Sequence, residues 1–411
     1  MRAHFRRFFQ PVIVLGLCLL VAGCATGVLR NARQEFYRGE HQKAAEILAN
    51  AKKISSRDKL LLYLERGTIL HHQGSYEASV TELLNASRLI AEQEVISISQ
   101  QASSLVTSEK ITEYKGEYSE RLWVHTYLMM NFLVLRKFDA ALVEAKQALK
   151  VFGQHHDSLA NDYFTRSLVA LCYENVRDYN DAYIEYKKLA DLYGSPDPVG
   201  YDLYRLARRL HFKDEAEKYK KYAGFRIASQ VTGPPTEAVI FVSLGRAPIK
   251  EPFDIVLPKA IRISFPHYIE KDRAAYRVEV STKNEDRMAL SISTDVNRVA
   301  KASLDERKTQ VIAKETARVL AKESIANSVG KDHGQLAESL VRMAFFVLQE
   351  ADTRSWQTLP VEFVLVRVPL EPGEHELTLH ISGGSGRQEQ EVPLPLFTLS
   401  EGQRLYFSVR K

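Results

Sequence analysis

Hydrophobic and polar positions divide the chain into stretches of different period. Residues 11–22 are almost entirely apolar. From Arg30 to about Ala223 apolar residues recur at helical spacing, interrupted only by Pro196 and Pro198, which predicts an all-helical region. At Val231-Thr232-Gly233-Pro234-Pro235 turn residues end that period, and Glu237–Leu244 reads as a strand. Further strands are predicted over Ala260–Phe265, Ala275–Ser281 and Met288–Ser293. Helical spacing returns at Ser303-Leu304-Asp305-Glu306, whose capping-box spacing opens a helix running to about Ala326. Gly330 to Gly334 forms a break, and Gln335–Glu350 is a second helix. Its stripe of Leu336, Leu340, Met343 and Val347 is widened by Ala337, Val341, Ala344 and Leu348, so that helix should be largely buried. Strands resume at Val361–Val368, Glu374–Ile381 and Arg404–Arg410, with turns at Pro372-Gly373 and Gly383–Gly386. The expected fold is multidomain α+β. A helical array over 30–228 precedes a β-sandwich-like domain over 236–411, which carries an inserted helical pair at about 302–350.

The helical region repeats itself. Its clearest unit reads Tyr63…Gly67…Leu70, Gly74-Ser75-Tyr76, Ser79…Leu83…Ala86, with a spacing similar to the tetratricopeptide repeat. A second unit carries Phe138, Ala141, Ala145 and Ala148, and a third carries Tyr173, Tyr179, Ala182, Tyr186 and Leu189. Weaker units centre on Ala44 and Ala216. The equivalent small residues Ala44, Ser79, Ala141, Ala182 and Ala216 are separated by 35, 62, 41 and 34 positions. The long interval marks a polar insertion, roughly Gln93 to Tyr118, read as an extended helix or loop. A non-repeat helical bundle with Ala and Tyr in its core is the plainer alternative. Tetratricopeptide stacks present a concave groove to partners. By this resemblance the groove would be lined by Leu64, Thr68, His71 and His72, by Thr126, Met130, Leu133 and Val134, and by Ser167, Leu171, Glu174 and Asn175. That surface is mixed and uncharged overall.

The N-terminus supplies an address. Arg2, Arg6 and Arg7 precede the apolar run, which ends in Val21-Ala22-Gly23-Cys24. As a helix the run of about 12 residues spans only ~18 Å, too short for a bilayer core of ~30 Å. The ending resembles the lipobox of bacterial lipoproteins. This implies a signal peptide over 1–23, lipidation at Cys24, a tether over 24–29 and, with Ala25 rather than Asp following the cysteine, sorting to the outer membrane. Two acyl chains make such an anchor stable where one would not.

The segment Ala351-Asp352-Thr353-Arg354-Ser355-Trp356-Gln357-Thr358-Leu359-Pro360 is the most distinctive run outside the repeats. Together with the lipobox and the array, it resembles a little-characterised family of bacterial tetratricopeptide-containing outer-membrane lipoproteins. The resemblance implies a β-rich C-terminal module, with no established activity, and an association with lipoprotein activators of penicillin-binding proteins. Physically, Asp352 and Arg354 can pair and Trp356 suits an interface. Alternatively, Asp352 caps a helix-to-strand crossing and Trp356 is a core plug, which is the blander and preferred reading.

Composition adds little chemistry. Lys and Arg total 56 against 51 Asp and Glu, a formal charge of +5, and about +2 without the three leader arginines, so nucleic acid is not an expected partner. With Cys18 in the leader and Cys24 acylated, Cys172 is the only remaining thiol of three, too few for a disulfide framework. No HExxH, CxxC, Walker-type or GxSxG string occurs. His71-His72 and His155-His156 are adjacent pairs that diverge on a helix, so they are expected as solvated helix-end residues and not metal ligands. Glu374 and Glu376 read as a solvated strand edge, and Cys172 as a buried small apolar group. No cofactor, metal or catalytic site is expected.

The expected function is therefore a non-catalytic lipoprotein scaffold or adaptor in a periplasmic assembly, membrane-bound by its N-terminal lipid and binding periplasmic proteins. A regulator docking on a peptidoglycan synthase is the alternative, and an envelope hydrolase the third reading. Candidate partner-binding residues are Asp352, Arg354, Trp356, Leu64, Thr68, His71, Thr126, Met130, Glu174 and Asn175. The short tether predicts that the β module extends the rigid array away from the membrane.

Overall fold

The computed structural model describes residues 23–51, 55–99, 113–222, 234–258, 261–283, 291–383 and 389–411. Residues 1–22 of the expected signal peptide lie outside them, as do residues 100–112, half of the polar insertion, and the Gly384–Gly386 part of the last predicted turn. Ten helices form five hairpins among the described residues. They are α1 (Gly23–Tyr37) with α2 (His41–Ala49), α3 (Lys59–His72) with α4 (Tyr76–Ser99), α5 (Tyr118–Val134) with α6 (Phe138–Gln154), α7 (Tyr163–Asn175) with α8 (Tyr179–Tyr193), and α9 (Gly200–Arg209) with α10 (Lys213–Tyr219). The expected tether is helical instead. Residues 24–29 belong to α1, whose Leu29, Ala32 and Phe36 make a buried stripe.

Each hairpin turns on one residue with a left-handed backbone: Gly39, Gly74, Arg136, Arg177 and His211, with φ of 84, 86, 58, 66 and 61°. Each lies five positions before the repeat's small residue, so the turns share the 35, 62, 41 and 34 spacing. Within the second hairpin a Cβ on Gly67 would lie 2.6 Å from Leu83, which is why this close helix approach takes glycine.

The C-terminal half builds two stacked sheets. The first has the order β11 (Arg404–Arg410), β1 (Glu237–Leu244), β6 (Glu362–Pro369), β5 (Ser291–Asp295), with β1 and β11 parallel and the other pairs antiparallel. The second has β4 (Tyr276–Thr282), β8 (Leu377–Gly383) and β9 (Gln390–Pro393), beside a small pair of β7 (Gly373–His375) and β10 (Phe397–Leu399). Strand side chains alternate between faces. Ala238, Ile240, Val242, Val364, Val366 and Val368 meet Val278, Val280, Leu379 and Ile381 of the second sheet. The opposite face, with Val239, Phe241, Phe363, Leu365, Ile292 and Tyr406, shares one core with the helical array. Every residue of β1 is buried, as befits a central strand covered on both faces. The β module therefore does not extend the array, as the tether argument predicted; it folds back into its concave side, giving three layers.

The remaining elements form an arm. A two-stranded ribbon, β2 (Ile249–Leu257) and β3 (Ile261–Ile269), packs through β3 on the helical pair α11 (Val296–His333) and α12 (Gln335–Leu348). α11 starts seven residues before the predicted capping box, because the Asp295 side chain accepts the Arg298 N–H at 3.2 Å. Ser303 and Glu306 instead touch the array: Ser303 accepts the Ser119 N–H at 3.0 Å, and Glu306 takes His155 and Ser158. The helix continues through Gly330 and breaks at Gly334. α12 is not the buried helix its pattern predicted. Leu336, Leu340 and Met343 are 78, 61 and 60% exposed; among the described residues α12 packs mainly on α11 and β3, which leave that stripe uncovered.

Candidate functional site: a groove filled by the chain itself

The inner helices α3, α5, α7 and α9 line the concave groove, and of the residues expected there Thr68, His71, Glu174 and Asn175 bond to Trp356, Ser408, Arg404 and Tyr406. Leu64, Thr68, His71, Thr126, Met130 and Glu174 are all buried, and Asn175 is half-buried. What covers this surface is the first sheet and residues 351–359, which run as a strap from the arm to β6. Phe363 is at the centre, stacked on Phe164 with ring centroids 5.0 Å apart and edge-on to Tyr127 at 5.8 Å. Phe241 meets Phe164 at 6.2 Å and stacks on Tyr406 at 5.9 Å.

Polar groups in a dry interface need partners, and here they cross it in register. The Ser408 hydroxyl of β11 donates to His71 Nε2 at 2.8 Å, and His71 Nδ1–H donates to Asn131 Oδ1 at 2.7 Å. The Asn131 amide donates to Ser79 at 2.9 Å, and Ser79 to the Gly67 carbonyl at 2.7 Å. Burial pushes His71 down to about 4, so this relay runs through a neutral imidazole. His71 is thus a core polar link, not a solvated helix-end residue. His72 is likewise depressed by burial, and its ring nitrogen lies 3.3 Å from the Tyr127 hydroxyl. His155 stacks on Tyr118, with ring centroids 3.5 Å apart.

A second feature escaped the sequence reading. Each inner helix contributes a buried carboxylate aimed at the β module: Glu65, Glu120, Glu174 and Asp202. Glu65 accepts Arg33 at 2.6 and 2.8 Å and the Gln357 N–H at 3.0 Å, while Glu120 accepts the Trp356 N–H at 2.8 Å. Glu174 binds Arg205 at 2.6 Å and also Arg404. Asp202 binds Arg367 at 2.7 Å, and Arg367 and Arg404 converge on Glu237 of β1. Three arginines and three carboxylates (Glu174, Asp202, Glu237) so close a balanced, buried cluster. Burial alone would raise Glu237, but Arg367 and Arg404 hold it at about 2. Glu174 is lowered in the same way, against its burial, by Arg205, Arg404 and Arg367. No sequence signal joins residues so far apart.

The strap contains the Asp352–Trp356 segment. Trp356 is 1% exposed, and its indole N–H donates to Thr68 at 2.9 Å and Thr358 at 3.1 Å. Arg354 grips Asp352 at 2.7 Å and Asp58 of the array at 3.0 Å. Tyr37 donates to the Gln357 carbonyl, and Arg33 donates to that of Ser355. Trp356 thus meets Thr68, and the buried groove candidates Thr68, His71 and Glu174 are bonded to the chain's own C-terminal half. Cys172 is buried, which raises its thiol, as expected of a packing group. Glu374 and Glu376 are exposed. Among the described residues no group of His, Cys, Asp and Glu could hold a metal ion, and no helix is long and apolar enough to cross a membrane. Nothing of the Cys24 side chain lies within the described residues.

These features define an α+β protein: a tetratricopeptide-like array closed over a β-sandwich that carries an inserted helical pair. Among solved structures the chain is similar to MamA, residues 41 to the end, from Desulfovibrio magneticus RS-1, at 15% identity over 51% of this chain and 94% of that one, TM-score 0.33. It is similar to a Podospora anserina putative kinesin light chain of nearly identical repeats, at 14% identity over 50% of this chain and 96% of that one, TM-score 0.35. It is also similar to apo RapI, at 10% identity over 78% and 72%, TM-score 0.37. No family model and no curated protein matches the chain.

Proposed function

We propose that this protein is a non-catalytic scaffold of the bacterial envelope, lipidated at Cys24 and held on the periplasmic face of the outer membrane, that binds a protein partner through its arm. The supporting observation is where apolar surface remains. Fifteen large hydrophobic side chains are exposed among the described residues, and ten of them belong to the arm. They are Phe253, Ile255, Val256 and Leu257 of β2, Ile312, Leu320 and Ile325 of α11, and Leu336, Leu340 and Met343 of α12. Concentrated exposed apolar surface marks interaction sites, and among the described residues β2 pairs only with β3, which leaves its other edge open. The groove, where such arrays usually bind, is taken by the chain's own sheet.

A photoreactive residue at Leu340, in intact cells, tests this against the same residue at the exposed Val143 of α6. Leu340 should give a discrete protein adduct that Val143 does not. If that protein synthesises glycan, the scaffold acts as a peptidoglycan-synthase regulator; if it is another envelope component, the adaptor reading stands. Adducts to lipid alone, or the same products from both positions, contradict the proposal.

A further inference from the structure

Where the array, the arm and the strap meet, a polar cavity of about 240 Å³ opens between residues 113–118, β2–β3 and α11. That is room for a compact group several waters in size. Five cations line it: Lys115, Arg121, Lys250, Arg307 and Lys314. Three carboxylates also line it, Glu113, Glu117 and Asp352, so the lining carries 5 − 3 = +2.

The basic wall is built, not fluctuating. Lys250 has a side chain only 3% exposed, paired with Glu117 at 2.5 Å and set against the rings of Tyr114 and Tyr268 at 5.9 and 5.6 Å. The other oxygen of Glu117 takes Arg307 at 2.8 Å. Both oxygens of Glu117 are thus engaged, and Asp352 is held by Arg354 at 2.8 and 2.7 Å. A recess that gathers guanidinium and ammonium groups in excess of carboxylates, with one of them fixed in a dry setting, matches oxyanions. We infer that this cavity binds a compact oxyanion, the phosphate or clustered carboxylates of a small molecule or of a lipid headgroup. This does not rest on the scaffold reading.

Calorimetric titration of the whole protein with inorganic pyrophosphate and with citrate, at fixed ionic strength, tests it. Lys115 is exposed and Lys314 half-buried, so the double variant K115Q/K314Q leaves the buried Glu117–Lys250 pair intact. Wild type should bind one equivalent, and the double variant should bind roughly tenfold more weakly or worse for two lost charge-assisted contacts. K308Q, which removes a charge from the exposed side of the same helix, should bind like wild type. Vesicles containing phosphatidylglycerol that bind wild type but not K115Q/K314Q assign the oxyanion to a lipid; binding of pyrophosphate without vesicle binding assigns it to a soluble molecule. Absence of saturable binding by both small anions and vesicles, or equal affinity in K115Q/K314Q and K308Q, overturns the inference.

Discussion

Replacing Arg404 by methionine should uncouple the β module from the array in a pH-dependent way. Arg404 joins Glu174 of α7 to Glu237 of β1, and both carboxylates are buried. Removing one partner of a buried ion pair costs about 3–5 kcal/mol, because the remaining charge has nowhere to go. The wild-type linkage sets the same scale. Glu237 is held at about 2 against an ordinary 4.5, which at about 1.4 kcal/mol per unit is roughly 3 kcal/mol. Because its folded pKa is depressed, that stability is fully present above pH 4.5 and is lost as pH falls toward 2. In R404M the carboxylates protonate nearer their ordinary values and no longer need the arginine. The penalty should therefore be largest near neutrality and shrink as pH falls below 4.5. Urea unfolding of both proteins at about pH 7 and about pH 3, followed by the fluorescence of Trp123 and Trp356, reads this directly. Both indoles are buried, at 1% exposure, so both report loss of the interface. A penalty below about 1 kcal/mol near neutrality, or one equal at both pH values, would refute an ionised cluster at this seam.

Three further outcomes follow. Trp356→Phe keeps an aromatic ring but removes the indole N–H from the Thr68 and Thr358 hydroxyls and part of the buried volume, so a loss of at least about 1–3 kcal/mol is expected in the same urea assay, and no loss would mean the strap is not seated. Arg177→Gly should stabilise by up to about 1 kcal/mol by relieving a left-handed backbone, seen as a higher Tm; a lower Tm would place Arg177 in some other conformation. Cys24→Ser should stop maturation at the precursor, so mass spectrometry showing a wild-type mass in the outer-membrane fraction would end the lipoprotein reading.

The array was legible because its constraint is local. Tetratricopeptide spacing is imposed by one tight turn per hairpin, and the turn residues Gly39, Gly74, Arg136, Arg177 and His211 repeat with the small residues that the sequence displays. The positions of Thr68 and Glu174 on the inner helices followed from the resemblance to the tetratricopeptide repeat. What filled the groove did not. A strand's alternation shows that it has two faces, not what each face meets. β2 was missed because Pro252 and the polar Lys250 and Glu251 mask it; such a strand survives only in an edge ribbon. The helix start at Val296 was misplaced because Ser303 and Glu306 imitate a cap while serving tertiary bonds. The exposed stripe of α12 misled for the opposite reason, since amphipathic pattern predicts a covered face whatever covers it. The carboxylates Glu65, Glu120 and Asp202 and the cavity lysines carry no local signature at all.

The protein's own sheet occupies its groove, and one ring contact carries that packing. Phe164 of α7 and Phe363 of β6 are separated by 199 residues in sequence and stacked at 5.0 Å. Nuclear Overhauser measurements on protein carrying protonated phenylalanine in a deuterated background, assigned with F164L and F363L, test that contact. Ring-to-ring cross-peaks that vanish in both variants are predicted. Their absence in folded wild-type protein, with the Phe164 ring accessible to a soluble paramagnetic agent, would show an open groove and contradict the account.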